Sequence, residues 1–192
     1  MEKPQGFDEL NVGSFEKITE GGHHLIIKQV TEQDSKAGKM LVVLFDTAKN
    51  DSQPGYFSNL FDTDVRPEKK WPFNGRKYIL EQDYEDKSKV NKDFKRFITA
   101  FERSNGTTCQ WGNDFFKQFT GKKIGGVFGA VENEYNGKTS MRNEIRWFCE
   151  DSAVEGAKIP NPKYLKKQGA GAGAGKEDFL DIPEGTNGEI PF

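Results

Sequence analysis

Lys122-Lys-Ile-Gly-Gly-Val-Phe-Gly-Ala-Val131 runs through Glu132-Asn-Glu-Tyr135 to Asn136-Gly137, and the chain returns as Lys138-Thr-Ser-Met-Arg-Asn-Glu-Ile-Arg-Trp-Phe-Cys149. Asn-Gly between two apolar-rich runs is a strong two-residue hairpin signal, because a type I′ turn needs positive φ at both central residues. The spacing therefore predicts two antiparallel strands. The first is broken by glycines and so bent. The second, Thr139–Cys149, alternates Met141, Ile145, Trp147 and Cys149 against Arg142, Glu144, Arg146 and Phe148.

Upstream of the hairpin the period changes. Phe94, Phe97, Ile98 and Phe101 fall at i, i+3, i+4 and i+7, one face of a helix. Asn91 suits its N-cap and Asn105-Gly106 its end. A short second helix is expected over 114–119. Still earlier, Met40-Leu-Val-Val-Leu-Phe-Asp46 is apolar on both faces and reads as a central strand. His23–Val30 reads as a first strand, with Leu25, Ile27 and His23 on one face and His24, Ile26, Lys28 and Val30 on the other. Gly55-Tyr-Phe-Ser-Asn-Leu-Phe61 reads as an aromatic third strand, followed by an irregular insertion over 62–90.

The order is three strands, a helix, then two strands. That is the order of an OB-fold, a mostly β, five-stranded barrel (β1-β2-β3-α-β4-β5) with one main helix. An open α+β sheet gives a similar string. Residues 1–160 would form this domain, with 1–20 a polar arm anchored by Phe7, Leu10, Phe15 and Ile18. Residues 161–192 would be a flexible linker and tail. Gly169–Gly175 alternates Gly and Ala as a spacer, and 176–192 carries five acids and one base. So polar a tail is expected to be disordered, because it cannot bury enough surface to offset its ordering entropy.

The 192 residues carry a formal charge of −2. Before Lys176, however, 27 basic residues outnumber 25 acidic ones. A mildly basic body with an acidic tail points to a polyanionic partner. The densest basic stretch is 66–78, where Arg66, Lys69, Lys70, Arg76 and Lys77 interleave with Trp71, Phe73 and Tyr78. Single-stranded nucleic acid needs cations for its phosphates and flat side chains for its unstacked bases, and this stretch supplies both. On a barrel the binding face and its loops add Lys28, Tyr56, Arg142 and Arg146, with Lys36 and Lys39 in the first loop and Tyr135 and Lys138 at the hairpin.

Signals for catalysis are sparse. His23 and His24 are adjacent, so on a strand they point to opposite faces. Asp62 and Asp64 flank Thr63 and, with Asp46 elsewhere, are the acids that a metal-dependent nuclease would use. There is no phosphate-loop or dinucleotide fingerprint. Two cysteines, Cys109 and Cys149, without a Cys-x-x-Cys, argue against zinc. No cofactor or metal is expected. Met1–Leu10 contains no apolar run of a signal peptide and no stretch reaches transmembrane length, which together predict a cytoplasmic protein without a membrane partner.

Glu189-Ile190-Pro191-Phe192, after a glycine-rich linker, resembles the tip of bacterial single-stranded-DNA-binding proteins. The body resembles the OB-fold single-stranded-DNA-binding proteins of bacteriophages. The resemblance rests on Gly-Tyr-Phe (55–57), Lys-Trp-Pro (70–72), the Phe-rich helix (94–101) and Gly-Lys-Lys-Ile-Gly-Gly-Val-Phe-Gly (121–129), and spans roughly residues 5–160. It implies a non-catalytic protein of DNA replication or recombination in the cytoplasm of an infected cell. Ile190, Pro191 and Phe192 would then capture replication proteins. Self-association stays open. So do two rivals: a protein-interaction adaptor on an OB-like barrel, and the Asp62/Asp64 nuclease.

Overall fold

The computed structural model describes residues 16–165. The arm residues Phe7, Leu10 and Phe15, the Gly/Ala spacer, and the tail residues Ile190, Pro191 and Phe192 lie outside the described residues.

The first strand, β1 (Gly21–Ser35), turns at Gly38 into β2 (Gly38–Thr47). Gly38 has φ +126°, a conformation that L side chains rarely adopt. Within β1 the pairing to β2 skips Lys28: Ile27 faces Phe45 and Gln29 faces Leu44. This bulge reverses the alternation. Leu25 and Ile27 point into the core before it, and Val30 does so after it. The simple alternation had placed Val30 on the opposite face from Leu25. β2 is central as expected, between β1 and β3, and buries Leu41, Val43 and Phe45.

The expected third strand over 55–61 is a helix, α1 (Tyr56–Asp62). Two interactions override its aromatic composition. Asp46, buried at the end of β2, accepts hydrogen bonds from the N–H groups of Phe57 (2.9 Å) and Ser58 (3.3 Å) and from the Ser58 hydroxyl, so it caps the helix start. Phe57, Leu60 and Phe61 also stand at i, i+3 and i+4, and Phe57 is fully buried. The third strand, β3 (Arg76–Leu80), lies inside the stretch read as an irregular insertion, and pairs with β2 from Leu44–Arg76 to Met40–Leu80. Tyr56 therefore stands on a helix and not on a sheet face.

The main helix, α2 (Lys92–Asn105), has the predicted ends. The Asn91 side chain accepts from Asp93 and Phe94 N–H, and Gly106 closes it in the left-handed region at φ +60°. It buries Phe97, Ile98 and Phe101. In place of a second helix over 114–119, a single 3-10 turn covers Lys117–Phe119.

The hairpin β4 (Lys123–Tyr135) and β5 (Lys138–Cys149) turns on Asn136 and Gly137, both at positive φ. A bulge at Arg146 sets Trp147 opposite Val127 but Ile145 opposite Phe128. Ile145 and Phe148 both become core residues, and Trp147 faces outward. This corrects the expected grouping of Ile145 with Trp147, and of Phe148 with Arg146.

The five strands form one antiparallel sheet in the order β3-β2-β1-β4-β5. Its inner face and α2 enclose a phenylalanine core. Phe45 makes edge-to-face contacts with Phe57, Phe128 and Phe148, and Phe97 packs on Phe119 and Phe148. The two edge strands are drawn together by side chains. Asn74 Nδ2 donates to the carbonyl of Asn143 (3.0 Å), and Lys77 Nζ donates to those of Arg146 (3.0 Å) and Ile145 (3.4 Å). Beyond the start of β1, residues around Lys163 take the open edge of β4: Lys163 N–H donates to Ala130 O, and Glu132 N–H to Lys163 O. Among the described residues, no helix is long and apolar enough to cross a membrane.

Candidate nucleic-acid interface

The seam between β3 and β5 gathers some of the cations and flat side chains expected at an interface: Phe73, Lys77, Arg142 and Arg146. Phe73 opens the 3-10 turn that precedes β3 and is 54% exposed. The Arg142 guanidinium of β5 lies 5.4 Å from its ring centroid. Four residues along β5, Arg146 donates to the carbonyl of Asn161 (3.0 Å). Lys77 enters the seam from β3. Burial pushes its ammonium below the ordinary lysine value, and the charges of Lys163 and Arg146 push the same way, against Asp93 and Glu144. Strand alternation puts Arg76 and Tyr78 on the face of β3 opposite Lys77, both half-buried.

Several residues of the basic stretch have structural partners. The Trp71 indole N–H donates to Gly75 O (2.9 Å), its ring leans on Phe61 (5.7 Å), and its carbonyl accepts from Arg76. A Cβ at Gly75 would meet Trp71 Nε1 at 2.5 Å, so that glycine makes room for the indole. Arg66 clamps Asp64 through Nε at 2.9 Å from both carboxylate oxygens. The clamp holds the Asp64 carboxyl well below the ordinary range, at about 2. Lys69 donates to Asp62 O (2.8 Å) and lies 5.9 Å from the Phe61 ring. Lys70 is half-buried beside them.

The remaining expected contacts are dispersed. Lys28 stands exposed on the β1 bulge. Lys39 is ion-paired with Glu32 at 2.6 Å. Tyr135 and Lys138 flank the hairpin tip and are exposed. Tyr56 is half-buried against Phe57 (5.0 Å), and burial raises its phenol above the ordinary value.

Three residues of the seam were not foreseen. Asn74 ties the turn to β5, and Lys163 adds charge beside Lys77. Arg96 of α2 lies 5.9 Å over the Trp147 ring while pairing with Asp93 at 3.0 Å. Arg96 and Trp147 can meet because the β5 bulge turns Trp147 outward, and nothing in the local spacing of either residue signals that.

What the seam offers chemically is an exposed ring edged by a guanidinium, with further cations along one strand. An unstacked base can lie on such a ring while its phosphates meet the cations.

The two histidines diverge as expected and each meets its own acid. His23, buried, sits 3.0 Å from Asp51 Oδ1, and His24 sits 2.7 Å from Asp151 Oδ1. Both cysteine thiols are pushed up to about 11, chiefly by burial, far from the range of a reactive thiolate.

No protein-family model matches the chain, and a search of curated proteins finds no match.

Proposed function

We propose that the protein is a non-catalytic single-stranded-DNA-binding protein whose body is a closed OB-type barrel. The strand order and the place of α2 between β3 and β4 support that fold reading, as do the side-chain links from Lys77 and Asn74 to β5. The observation that carries the function is the Phe73–Arg142 pair: an exposed ring and a guanidinium 5.4 Å apart, with Arg146 four residues further along the same strand. DNA runs along the seam, with bases resting on Phe73 and phosphates meeting Arg142, Arg146 and the outward cations of 66–76. Lys77 shapes the groove from within and does not meet phosphate. Binding is largely independent of sequence, because every base has a π-face and the cations read none of the base edges. The acidic tail ending in Ile190-Pro191-Phe192 serves replication or recombination proteins.

Quenching of tryptophan fluorescence by oligo-dT, repeated over a range of salt, is the test. Binding that weakens steeply as salt rises is expected, since each neutralised phosphate releases counterions. Absence of binding at low salt would sink the reading.

A further inference from the structure

Far from the seam in character, a second concavity of about 280 Å³ is lined by Glu32, Glu81, Phe94, Trp111, Gly112, Phe115 and Phe116. Its signs are opposite to those of the seam. Trp111 is 67% exposed, although it stacks on Phe115 (5.0 Å, 18° between planes) and lies 6.3 Å from Phe94. The indole thus offers a ring face to solvent above an aromatic floor.

The loop that presents Trp111 is tightly built. Gln118 accepts from Gln110 N–H (2.8 Å) and donates to the carbonyls of Gln110 (2.7 Å) and Phe115 (2.7 Å). Gly112 takes φ +115°, the turn that lets the chain double back beneath the indole. The aromatic wall therefore exists before any ligand arrives.

The opposite wall is acidic. Glu32 and Glu81 both line it, and Lys39 pairs with Glu32 at 2.6 Å. Asp34 also acts on Lys39. Burial first, and then Glu32, push Glu81 above the ordinary carboxylate value. Two carboxyl groups face the cleft and Lys39 pairs with one of them, so the other favours a further cation. Phosphates would be repelled, so the concavity does not extend a DNA path.

We propose that this cleft is a recognition site for an arginine side chain of a basic protein partner, with the guanidinium held between the Trp111–Phe94 wall and the Glu32–Glu81 carboxylates. Arginine fits better than lysine. Its planar cation stacks on rings and offers a fork of donors to carboxylates, and the volume accommodates one such side chain. The site goes beyond DNA binding and stands or falls independently of it.

The experiment uses the full chain and two capped tripeptides, Gly-Arg-Gly and its neutral isostere Gly-citrulline-Gly. The readout is the Trp111 indole N–H resonance, assigned with Trp111→Phe. The arginine peptide is expected to move this signal saturably and the citrulline peptide is not. Glu81→Gln should weaken binding by about fivefold, the equivalent of ~1 kcal/mol. An unchanged melting temperature for Glu81→Gln separates lost recognition from lost folding. The proposal is overturned if the arginine peptide produces no shift, if citrulline produces an equal one, or if oligo-dT competes with the peptide for the cleft.

Discussion

Lys77 Nζ lies 3.0 Å from the carbonyl oxygen of Arg146, so a β3 side chain donates to the backbone of β5 across the gap between the sheet's two edges. It donates to Ile145 O as well. Lys77→Ala should expose the seam to water or leave these carbonyls without a donor, costing about 1–3 kcal/mol. For a domain of this size that is a fall in melting temperature of roughly 2–4 °C per kcal/mol. The pH dependence has a definite sign. Burial lowers the folded-state value of Lys77 below the ordinary 10.5, so in that window the unfolded chain binds more protons. Wild-type stability should rise relative to Lys77→Met as pH climbs towards 10.5. A flat difference between the two proteins would contradict the buried placement.

Asp51 titrates in the opposite direction. Burial favours its neutral form, but the bond to His23 (3.0 Å) and the N–H groups of Gln53 and His24 outweigh burial and hold it below the ordinary 3.8. A depressed carboxyl stabilises the fold above its unfolded value, and that contribution is lost as pH falls through the folded one. Acid unfolding followed by circular dichroism should show Asp51→Asn less stable than wild type at neutral pH. The gap should narrow below pH 3.8. A gap that persists at the lowest pH would mean that packing, and not charge, is what Asp51 supplies.

How far the sequence discloses this molecule depends on how local each signal is. The Asn136-Gly137 turn, the Asn91 cap and the Phe97/Ile98/Phe101 face are each written within a few neighbouring residues, and each is found in place. The bulges at Lys28 and Arg146 are not written locally. They follow from the partner strand's register, and they move Val30, Phe148 and Trp147 to the opposite faces from those that alternation gives. The helix at 56–62 has its decisive partner ten residues upstream in Asp46, although the Phe57/Leu60/Phe61 spacing carried a helical signal within the segment. At the candidate interface the same rule applies. The residue types over 66–78 are those an interface uses, but Trp71, Arg76 and Lys77 turn to backbone carbonyls, and the pairing of Phe73 with Arg142 emerges only once β3 and β5 meet.

Gly22 tests the packing of the segment after β5. A Cβ there would sit 2.1 Å from the carbonyl oxygen of Val154 and 2.8 Å from its carbon. Both are backbone atoms, so no rotamer change relieves the clash. Gly22→Ala should push the 151–157 turn off β1 at a cost of about 1–3 kcal/mol, read as a lowered urea midpoint with an unchanged slope. Gly137 at the hairpin tip has nothing within 4 Å of its Cβ position, and its φ of +71° makes conformation the sole cost there. Alanine at Gly137 should therefore cost less than at Gly22, and the reverse order would refute the packing argument.

The Phe73–Arg142 pair separates the two contributions to DNA binding. Phe73→Ala removes a stacking platform, worth about 1–3 kcal/mol per base, so affinity for oligo-dT should fall by roughly fivefold to 150-fold with the salt dependence unchanged. Arg142→Ala removes a phosphate cation. It should weaken binding to all sequences alike and reduce the slope of log K against log salt by about one. Because the guanidinium leans on the ring at 5.4 Å, the double variant should lose less than the sum of the two single losses. Both side chains are exposed, and the single variants should melt close to wild type, since the cation–π contact at such a site contributes only about 0.5–1 kcal/mol. Fluorescence titration of the four proteins across a salt series measures all of this. Equal affinities for wild type and Phe73→Ala would remove the ring from the DNA path. An unchanged slope in Arg142→Ala would place the phosphates elsewhere on the surface.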